Sequence, residues 1–268
     1  RGTAIIFAVA ALVVNTFFVF SVKELPESEL KEEAKTTTND TNISFADSIK
    51  LLFNNKYYIF IMLTYLFIYA SDGFAAVGMF YMTYVLGDAN LFGTFSAAMN
   101  IPMILGLILV PWVVNRFGIY RANFVGYLGA AIFRGIFAIA GFAHNVPLML
   151  IAMVISQLFS CPCAGDLNAV IASVSEHTYL RFGKRIDGTM FSCSSVGIKI
   201  GSAIGTVVAG WMLEMSGYVA NASVQAESCI LMLNIMYLLI PVLLNSALAV
   251  VMFLMDIEKA NEKLREAA

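Results

Sequence analysis

Charged residues are scarce in this sequence of 268 residues. Asp, Glu, Lys and Arg together make up 13% of it, hydrophobic residues make up 60%, and the mean hydropathy is +0.81. A water-soluble domain carries about 25% charged residues and has enough polar surface to cover its core. This composition therefore excludes an ordinary soluble globule and predicts a membrane protein.

Cysteine is also rare, with four residues in the chain. Cys161, Cys163 and Cys193 fall inside predicted helices, and only Cys229 lies near the predicted outer surface, so we predict no disulfide. The Cys161-Pro162-Cys163 triplet resembles the metal-passing motif of heavy-metal pumps, but no loop is long enough for their nucleotide-binding domain. A proline kink flanked by small packing residues is the favoured interpretation.

Long apolar runs dominate the sequence and are separated by short polar loops. A helix needs about 20 apolar residues to cross the hydrocarbon core, whereas barrel strands are about ten residues long and alternate in polarity. The runs are long and unbroken, which predicts an all-α membrane protein. The seven predicted spans are residues 1–22, 57–86, 91–114, 120–143, 147–172, 188–215 and 229–255.

Lys and Arg are missing from alternate loops, those near Asp88, His144 and Glu227. The remaining loops and the tail contain every basic residue except Arg1 at the start and two residues within spans, Arg134 and Lys199. Because basic loops stay in the cytoplasm, we expect a multi-pass protein of the cell (inner or plasma) membrane with a cytoplasmic C-terminus.

Lys199 lies in the middle of a predicted span, about 16 Å from either surface. A charge at that depth costs about 2.5–3.5 kcal/mol on insertion scales, so a functional role is expected. Helical spacing places a stripe of hydroxyl residues on the same face, namely Ser192, Ser195, Ser202 and Thr206. The opposite face consists of small residues on which another helix can pack closely, namely Gly197, Gly201 and Gly205.

Two acidic residues, Asp72 and Asp166, also fall within predicted spans. Asp72 shares a helical stripe with Tyr69 and is expected to face a polar interior, and a structural pair with Arg134 is the alternative. We assign Lys199, Asp72 and Asp166 to a predicted cation-coupling network.

The segment from Glu176 to Gly188, followed by Lys199-Ile200-Gly201-Ser202-Ala203 and Gly217-Tyr218, resembles the glycoside-pentoside-hexuronide:cation symporters. This branch of the major facilitator superfamily includes melibiose permease. The Arg116-Phe117-Gly118 loop is similar as well, so the resemblance covers the whole chain. Ser173 and Tyr179 stand where the family often has acidic residues.

The resemblance implies helix six plus the C-terminal six-helix bundle of a twelve-helix transporter, with the N-terminal half missing. Residues 1–22 are then the last helix of the N-terminal half and 23–56 are a cytoplasmic linker between the halves. Residues 57–255 are the C-terminal bundle and 256–268 are a cytoplasmic tail. Ser44 to Phe53 within the linker predicts a short amphipathic helix.

The same resemblance implies symport of a sugar or glycoside coupled to Na⁺ or H⁺ by alternating access, without catalytic residues, a metal site, a resident cofactor or a nucleic-acid partner. The expected partners are the bilayer and the N-terminal half, whose acidic residues would complete the Lys199 network. The predicted substrate-binding residues are Lys199, Ser195, Tyr69 and Asn100, of which Tyr69 and Asn100 come from stripe geometry alone. The predicted gating-loop residues are Glu176, Arg181, Arg185 and Asp187.

A self-contained seven-helix receptor or photoreceptor with a ligand on Lys199 is the alternative. A buried lysine together with an outside start and an inside tail would suit a retinal Schiff base. Against it, Lys199 lies on the sixth predicted span and its stripe is rich in serine.

Overall fold

A computed structural model of the chain describes residues 2–21, 45–184, 186–220 and 222–266. Every regular element in these ranges is helical, which confirms the all-α prediction. The helices are α1 (Gly2–Ser21), α2 (Phe45–Asn54), α3 (Lys56–Ala75), α4 (Gly78–Tyr84), α5 (Leu91–Phe117), α6 (Ile119–Phe142), α7 (Val146–Phe182), α8 (Asp187–Met215), α9 (Glu227–Asn234), a π-helical segment (Ile235–Leu239), α10 (Ile240–Leu254) and α11 (Ile257–Glu266).

Six helical segments of the described residues are long and apolar enough to cross a membrane, and they match the last six predicted spans. Their bounds are Lys56–Tyr84, Leu91–Phe117, Ile119–Phe142, Val146–Phe182, Asp187–Met215 and Glu227–Glu266. The first predicted span forms α1, whose described apolar stretch, Ala8–Ser21, is shorter than these.

The chain divides into two compact units, one containing α1 and one beginning at Ser44. In the first unit, the side chains of residues 8–21 are exposed. In the second unit, α2 confirms the short helix predicted near residues 44–53, while Ser44 and most of the predicted linker lie outside the described residues.

Helix boundaries follow from local chemistry. The side chain of Asn55 accepts a hydrogen bond from the Tyr57 amide at the start of α3, and the side chain of Asn145 accepts one from the Leu148 amide at the start of α7. Helix α7 ends at Gly183, whose φ of 67° suits a residue without a side chain.

Small residues allow α7 to lie close to both α5 and α6. A Cβ added to Gly106 of α5 would collide with the Cys161 side chain, and one added to Gly126 of α6 would lie 2.5 Å from the Phe159 carbonyl oxygen. Cys161 lies in the contact with α5, and both Cys161 and Cys163 are buried, as expected of residues in helix packing.

Helix α8 packs on α3 through the predicted glycine face. A Cβ at Gly201 would lie 2.7 Å from the Leu66 carbonyl oxygen, and one at Gly205 would collide with the Ala70 carbonyl. The close approach is mutual, because a Cβ at Gly73 of α3 would lie 2.6 Å from the Thr206 amide nitrogen. The two backbones are therefore in direct contact.

The apolar core of the bundle lies where α4, α6, the start of α7 and the π-helical segment meet. Aromatic rings dominate it, with Tyr81 stacked on Tyr237 at 4.7 Å between ring centroids and Phe137 edge-on to both Phe95 and Tyr237. The outer faces of the spans expose large apolar side chains such as Ile108, as expected of surfaces that face lipid.

Candidate functional site

A cavity of about 580 Å³ opens into the second unit. Its walls come from α3, α5, α6, α7, α10 and the π-helical segment, so residues far apart in sequence share one space. The volume is in the range of small-molecule sites. Its lining residues are Ile68, Tyr69, Ser71, Asp72, Phe74, Ala75, Met99, Asn100, Met103, Tyr127, Arg134, Met153, Gln157, Ser160, Ala164, Leu167, Tyr237, Pro241, Asn245 and Leu248.

Three residues predicted from the sequence, Tyr69, Asp72 and Asn100, meet in this cavity. Tyr69 and Asp72 lie three residues apart on α3, which places them on one helix face, and Asn100 approaches from α5. The ring of Tyr69 is stacked parallel to that of Tyr65, with centroids 6.3 Å apart. The cavity thus combines an aromatic platform, an amide and a carboxylate.

Arg134 of α6 is the basic residue of the cavity, and its side chain is nearly enclosed, with 8% of the residue surface exposed. Its Nη2 donates a hydrogen bond of 3.2 Å to Gln157 Oε1, and its buried Nε has no hydrogen-bond partner. Among the described residues, no carboxylate lies within 4 Å of this guanidinium, so the structural pair with Asp72 considered above does not form at contact distance.

Arg134, Gln157 and Asn245 also line the cavity, and no sequence pattern assigned them to a binding site. Each of them is a polar residue within an apolar run. That pattern marks the residue as unusual, but it does not show whether the side chain faces a cavity, another helix or lipid. The structure shows that Gln157 connects two walls, because its Nε2 donates to the Met99 carbonyl at 3.4 Å while its Oε1 accepts from Arg134. Asn245 is buried and donates to the Pro241 carbonyl one turn earlier.

Asp166 lies outside the cavity lining, buried against α6. The side-chain amide of Asn123 donates to both carboxylate oxygens, at 2.9 and 3.1 Å, and the Asn123 Oδ1 is buried without a partner. Of the three residues assigned to the predicted cation-coupling network, the structure therefore brings only Asp72 to the cavity.

Lys199 and Ser195 lie on an exposed face of α8, outside the cavity lining. Helix α8 has three faces: glycines against α3, an exposed polar stripe that includes these two residues, and an exposed apolar face with Ile200, Val207 and Trp211. The exposed apolar face suits contact with lipid, whereas the exposed polar stripe requires polar surroundings.

The predicted gating residues lie at one end of the bundle. Glu176 forms an ion pair with Arg265 of α11 at 2.6 Å, and Asp187 accepts a hydrogen bond from the Ser175 hydroxyl. Arg181 is exposed, with its guanidinium carbon 5.2 Å from the centroid of the neighbouring Phe182 ring. Arg185 lies outside the described residues.

Beside these residues lies a polar clasp that sequence analysis missed. It joins the start of α3, the end of α7 and α11 through side-chain hydrogen bonds between Asn55 and Thr178, between Tyr57 and Asp256, and between His177 and Asn261, each of 2.8–2.9 Å. No local pattern reveals such pairs, because the partners are separated by 84 to 199 positions in the chain. The polar clasp consists of Asn55, Tyr57, His177, Thr178, Asp256 and Asn261.

The chemistry of the cavity suits binding more than reaction. Its polar groups are hydroxyl, amide, carboxylate and guanidinium, which together donate and accept hydrogen bonds as a polyhydroxylated ligand requires. Within the described part of the chain, no cluster of three or more His, Cys, Asp or Glu side chains is arranged to hold a metal ion.

Comparison with known proteins agrees with this geometry. Residues 1–259 match the family described as MFS/sugar transport protein. Over 262 residues, the chain is 25% identical to the isoprimeverose transporter of Lactiplantibacillus pentosus, covering 97% of this chain and 53% of that protein. It is 26% identical over 216 residues to the uncharacterized symporter YnaJ of Bacillus subtilis, covering 80% of this chain and 46% of the relative.

A third relative is the putative glycoside/cation symporter YagG of Escherichia coli, which is 32% identical over 113 residues, covering 42% of this chain and 25% of that protein. The chain thus spans about half the length, or less, of these curated relatives. All three are named as transporters or symporters, which does not favour the seven-helix receptor. The match over residues 1–259 and the six apolar helical segments together lead to one conclusion: this multi-pass membrane chain belongs to the MFS/sugar transport protein family.

Proposed function

We propose that the chain is part of a symporter that couples the movement of a sugar or glycoside to Na⁺ or H⁺ by alternating access. The observation that carries the proposal is the cavity of about 580 Å³, which combines Tyr69, Asp72, Asn100 and Arg134 within a bundle of membrane-spanning helices. Transporters of this general architecture bind substrate near the middle of the membrane and rock two helical bundles around it.

In this proposal the chain contributes the C-terminal half of the transporter. Residues 1–22 form the last helix of an N-terminal half, 23–56 form a cytoplasmic linker, 57–255 form the C-terminal bundle and 256–268 form a cytoplasmic tail. The coverage of about half of two longer relatives supports a chain that is one part of such a transporter.

The exposed polar stripe of α8 is the surface that we assign to the N-terminal half. Lys199 and Ser195 would cost free energy against lipid, whereas a polar bundle facing them would provide hydrogen bonds and counter-charge. A buried Lys⁺ opposite carboxylates keeps them ionised, so the binding of a cation and the binding of a sugar become energetically coupled.

In this proposal, different residues bind the sugar, couple its movement to the cation and gate the pathway. Tyr69 and Asn100 contact the sugar in the cavity, and Ser195 contacts it from the polar stripe. Asp72 and Asp166 belong to the coupling network, with Asp166 oriented by Asn123. The gating residues Glu176, Arg181, Arg185 and Asp187 act at the end of the bundle that closes toward the cytoplasm.

The test is uptake by proteoliposomes that contain the full-length native transporter. Radiolabelled sugars are offered with an inward Na⁺ gradient, an inward H⁺ gradient or neither, and accumulation above equilibrium under one gradient is the expected result. Lys199→Val should abolish accumulation while the protein remains inserted, because it removes the charge without shortening α8. Lys184→Val, the same change at an exposed loop lysine, is the matched control.

Normal ion-dependent accumulation by Lys199→Val would contradict the role of this lysine. Uptake that never exceeds equilibrium under either gradient would contradict cation coupling as a whole. Equal loss of uptake in the Lys184→Val control would indicate a general effect of removing positive charge.

A further inference from the structure

Asp166 and Asn123 form a buried polar pair between α7 and α6, outside the lining of the cavity. The two residues are 6% and 2% exposed. The Asn123 amide nitrogen donates to both carboxylate oxygens, at 2.9 and 3.1 Å, and the Asn123 Oδ1 is buried with no hydrogen-bond partner. Buried polar atoms are nearly always paired, so this unused acceptor indicates that the pair lacks one donor.

The surroundings of the pair offer Asp166 no counter-ion. Within the described ranges, no Lys, Arg or His nitrogen lies within 4 Å of its carboxylate, including those of α5 and α8, which also pack on α7. The ionisable side chains that interact with it are Tyr127 of α6, Cys163 of its own helix and Glu258 of α11, and Glu258 is a like charge. Asp72 of α3 acts on the same Tyr127. A buried carboxylate in such surroundings is costly as an ion, and a bound proton removes that cost.

A proton on Asp166 also supplies the donor that the pair lacks. A carboxylic acid has one O–H group that donates and a second oxygen that still accepts. After a rotation of the Asn123 amide, the acid O–H donates to Oδ1 and the amide N–H donates to the other carboxyl oxygen. The two side chains then satisfy each other without a buried charge.

Water has a route to this pair. Asn123 lines a small recess at the end of the bundle where α11 lies, together with the polar residues Tyr120, Ser173 and Glu258. Its volume of about 10 Å³ is room for about one water molecule, and Glu258 is exposed. A water molecule in the recess can pass a proton between the exposed end of the bundle and the buried pair.

We propose that Asp166 and Asn123 form a proton-binding site beside the cavity and that H⁺ is the cation coupled to sugar movement. This inference rests on the proposed function and selects between its two candidate ions. Tyr127, one helical turn after Asn123 on α6, lines the cavity, so the proton site and the sugar site share a wall. The charged and the neutral pair hold α6 and α7 by different hydrogen bonds, which couples the bound proton to the shape of that wall.

The first experiment is infrared difference spectroscopy of the full-length native transporter in lipid, titrated between about pH 6 and 9. Protonated and ionised carboxyl groups absorb separately, and exposed carboxyls, with a pKa of about 4, stay ionised over this range. We expect a protonated-carboxyl band that weakens as the pH rises. Asp166→Asn should remove part of this band, and Asp88→Asn, the same change at an exposed loop carboxylate, is the matched control and should leave it intact.

The second experiment repeats the uptake assay of the proposed function with Asp166→Asn. The substitution places an uncharged side chain of the same size in the site, so it mimics the protonated form permanently. We expect accumulation of the radiolabelled sugars under an inward H⁺ gradient to fall to the equilibrium level, while exchange of labelled for unlabelled sugar persists. Asp88→Asn should accumulate sugar normally.

A third measurement needs no variant and decides the case even if Asp166→Asn fails to fold. Dicyclohexylcarbodiimide adds to protonated carboxyl groups in apolar surroundings, and peptide mass spectrometry locates the product. We expect the unmodified protein to be labelled at Asp166 more at pH 6 than at pH 9, and Asp88 to remain unlabelled at both.

The inference would be overturned if Asp166 neither contributed to the band nor reacted with the carbodiimide. Equal loss of accumulation and exchange in Asp166→Asn would also overturn it, because that is the result expected of a purely structural residue. Accumulation driven by Na⁺ alone would leave the proposed function standing and reject H⁺ as the coupled ion. A proton on Asp166 without accumulation of any sugar under either gradient would reject the proposed function and leave only the proton site.

Discussion

The polar clasp and the cavity both contain polar side chains inside an apolar bundle, but they differ in how fully those side chains are hydrogen-bonded. In the polar clasp, side chains such as Asn55 and Asn261 are paired at 2.8–2.9 Å. In the cavity, Arg134 keeps an unpartnered Nε, and Asp72 lies beyond ion-pair distance of it. The comparison suggests that the polar clasp stabilises the fold, whereas the cavity retains unused binding capacity for a ligand.

The largest change in stability is expected from Asn55→Ala in the polar clasp. The substitution removes the cap of α3 and the side-chain bonds to Thr178 and to the Val174 carbonyl. We expect it to lower the free energy of unfolding by about 1–3 kcal/mol. Thermal unfolding of the purified protein in detergent measures this, with the exposed Asn115→Ala as control. Equal melting temperatures for the two variants would show that the polar clasp does not stabilise the fold.

Arg134→Met in the cavity should act in the opposite direction. It replaces a partly satisfied buried charge by an apolar side chain of similar length, so we expect the free energy of unfolding to stay the same or to rise by up to about 2 kcal/mol. The same melting assay checks it. A large fall would show that Arg134 is a structural residue of the same kind as those in the polar clasp.

Tyr57→Phe sharpens the comparison within the polar clasp. The change removes the hydroxyl that donates to Asp256 at 2.8 Å and keeps the edge-on contact with the His177 ring, 4.9 Å between centroids. The expected loss is about 1 kcal/mol. A double-mutant cycle with Asp256→Ala isolates the pair, and a coupling energy of zero would show that this bond does not stabilise the bundle.

Arg265→Ala should have the smallest effect. The ion pair with Glu176 is short, but the two side chains are 61% and 40% exposed, so water and salt screen it. We expect a loss below about 1 kcal/mol that disappears at high salt. A loss as large as that of Asn55→Ala would show that this exposed ion pair beside the polar clasp stabilises the bundle as much as the clasp does.

The spans were predictable because hydrophobic runs record burial in a membrane directly, and six of them became helices with nearly the expected bounds. One difference is α7, which was predicted to end near 172 and continues to Phe182, because its last turns leave the apolar run and pack polar residues against α11. Helix content there depends on tertiary contacts, and hydropathy does not record them.

Helix periodicity also predicted the glycine face of α8 and the clustering of Tyr69 with Asp72 on one side of α3. It did not place Arg134, because a single polar residue in an apolar run gives no stripe from which to read a direction. The polar clasp could not be predicted from the sequence for a different reason. Its pairs join distant segments, and each member alone reads as an ordinary loop or helix-end residue.

The contact between α3 and α8 has a mechanical consequence. Gly73 and Gly205 bring the two main chains together, so no flexible side chain separates them to absorb a displacement by changing rotamer. The same helix α3 also carries Tyr69 and Asp72, which line the cavity. A displacement of α8 is therefore transmitted through its rigid backbone contact with α3 to the wall of the cavity.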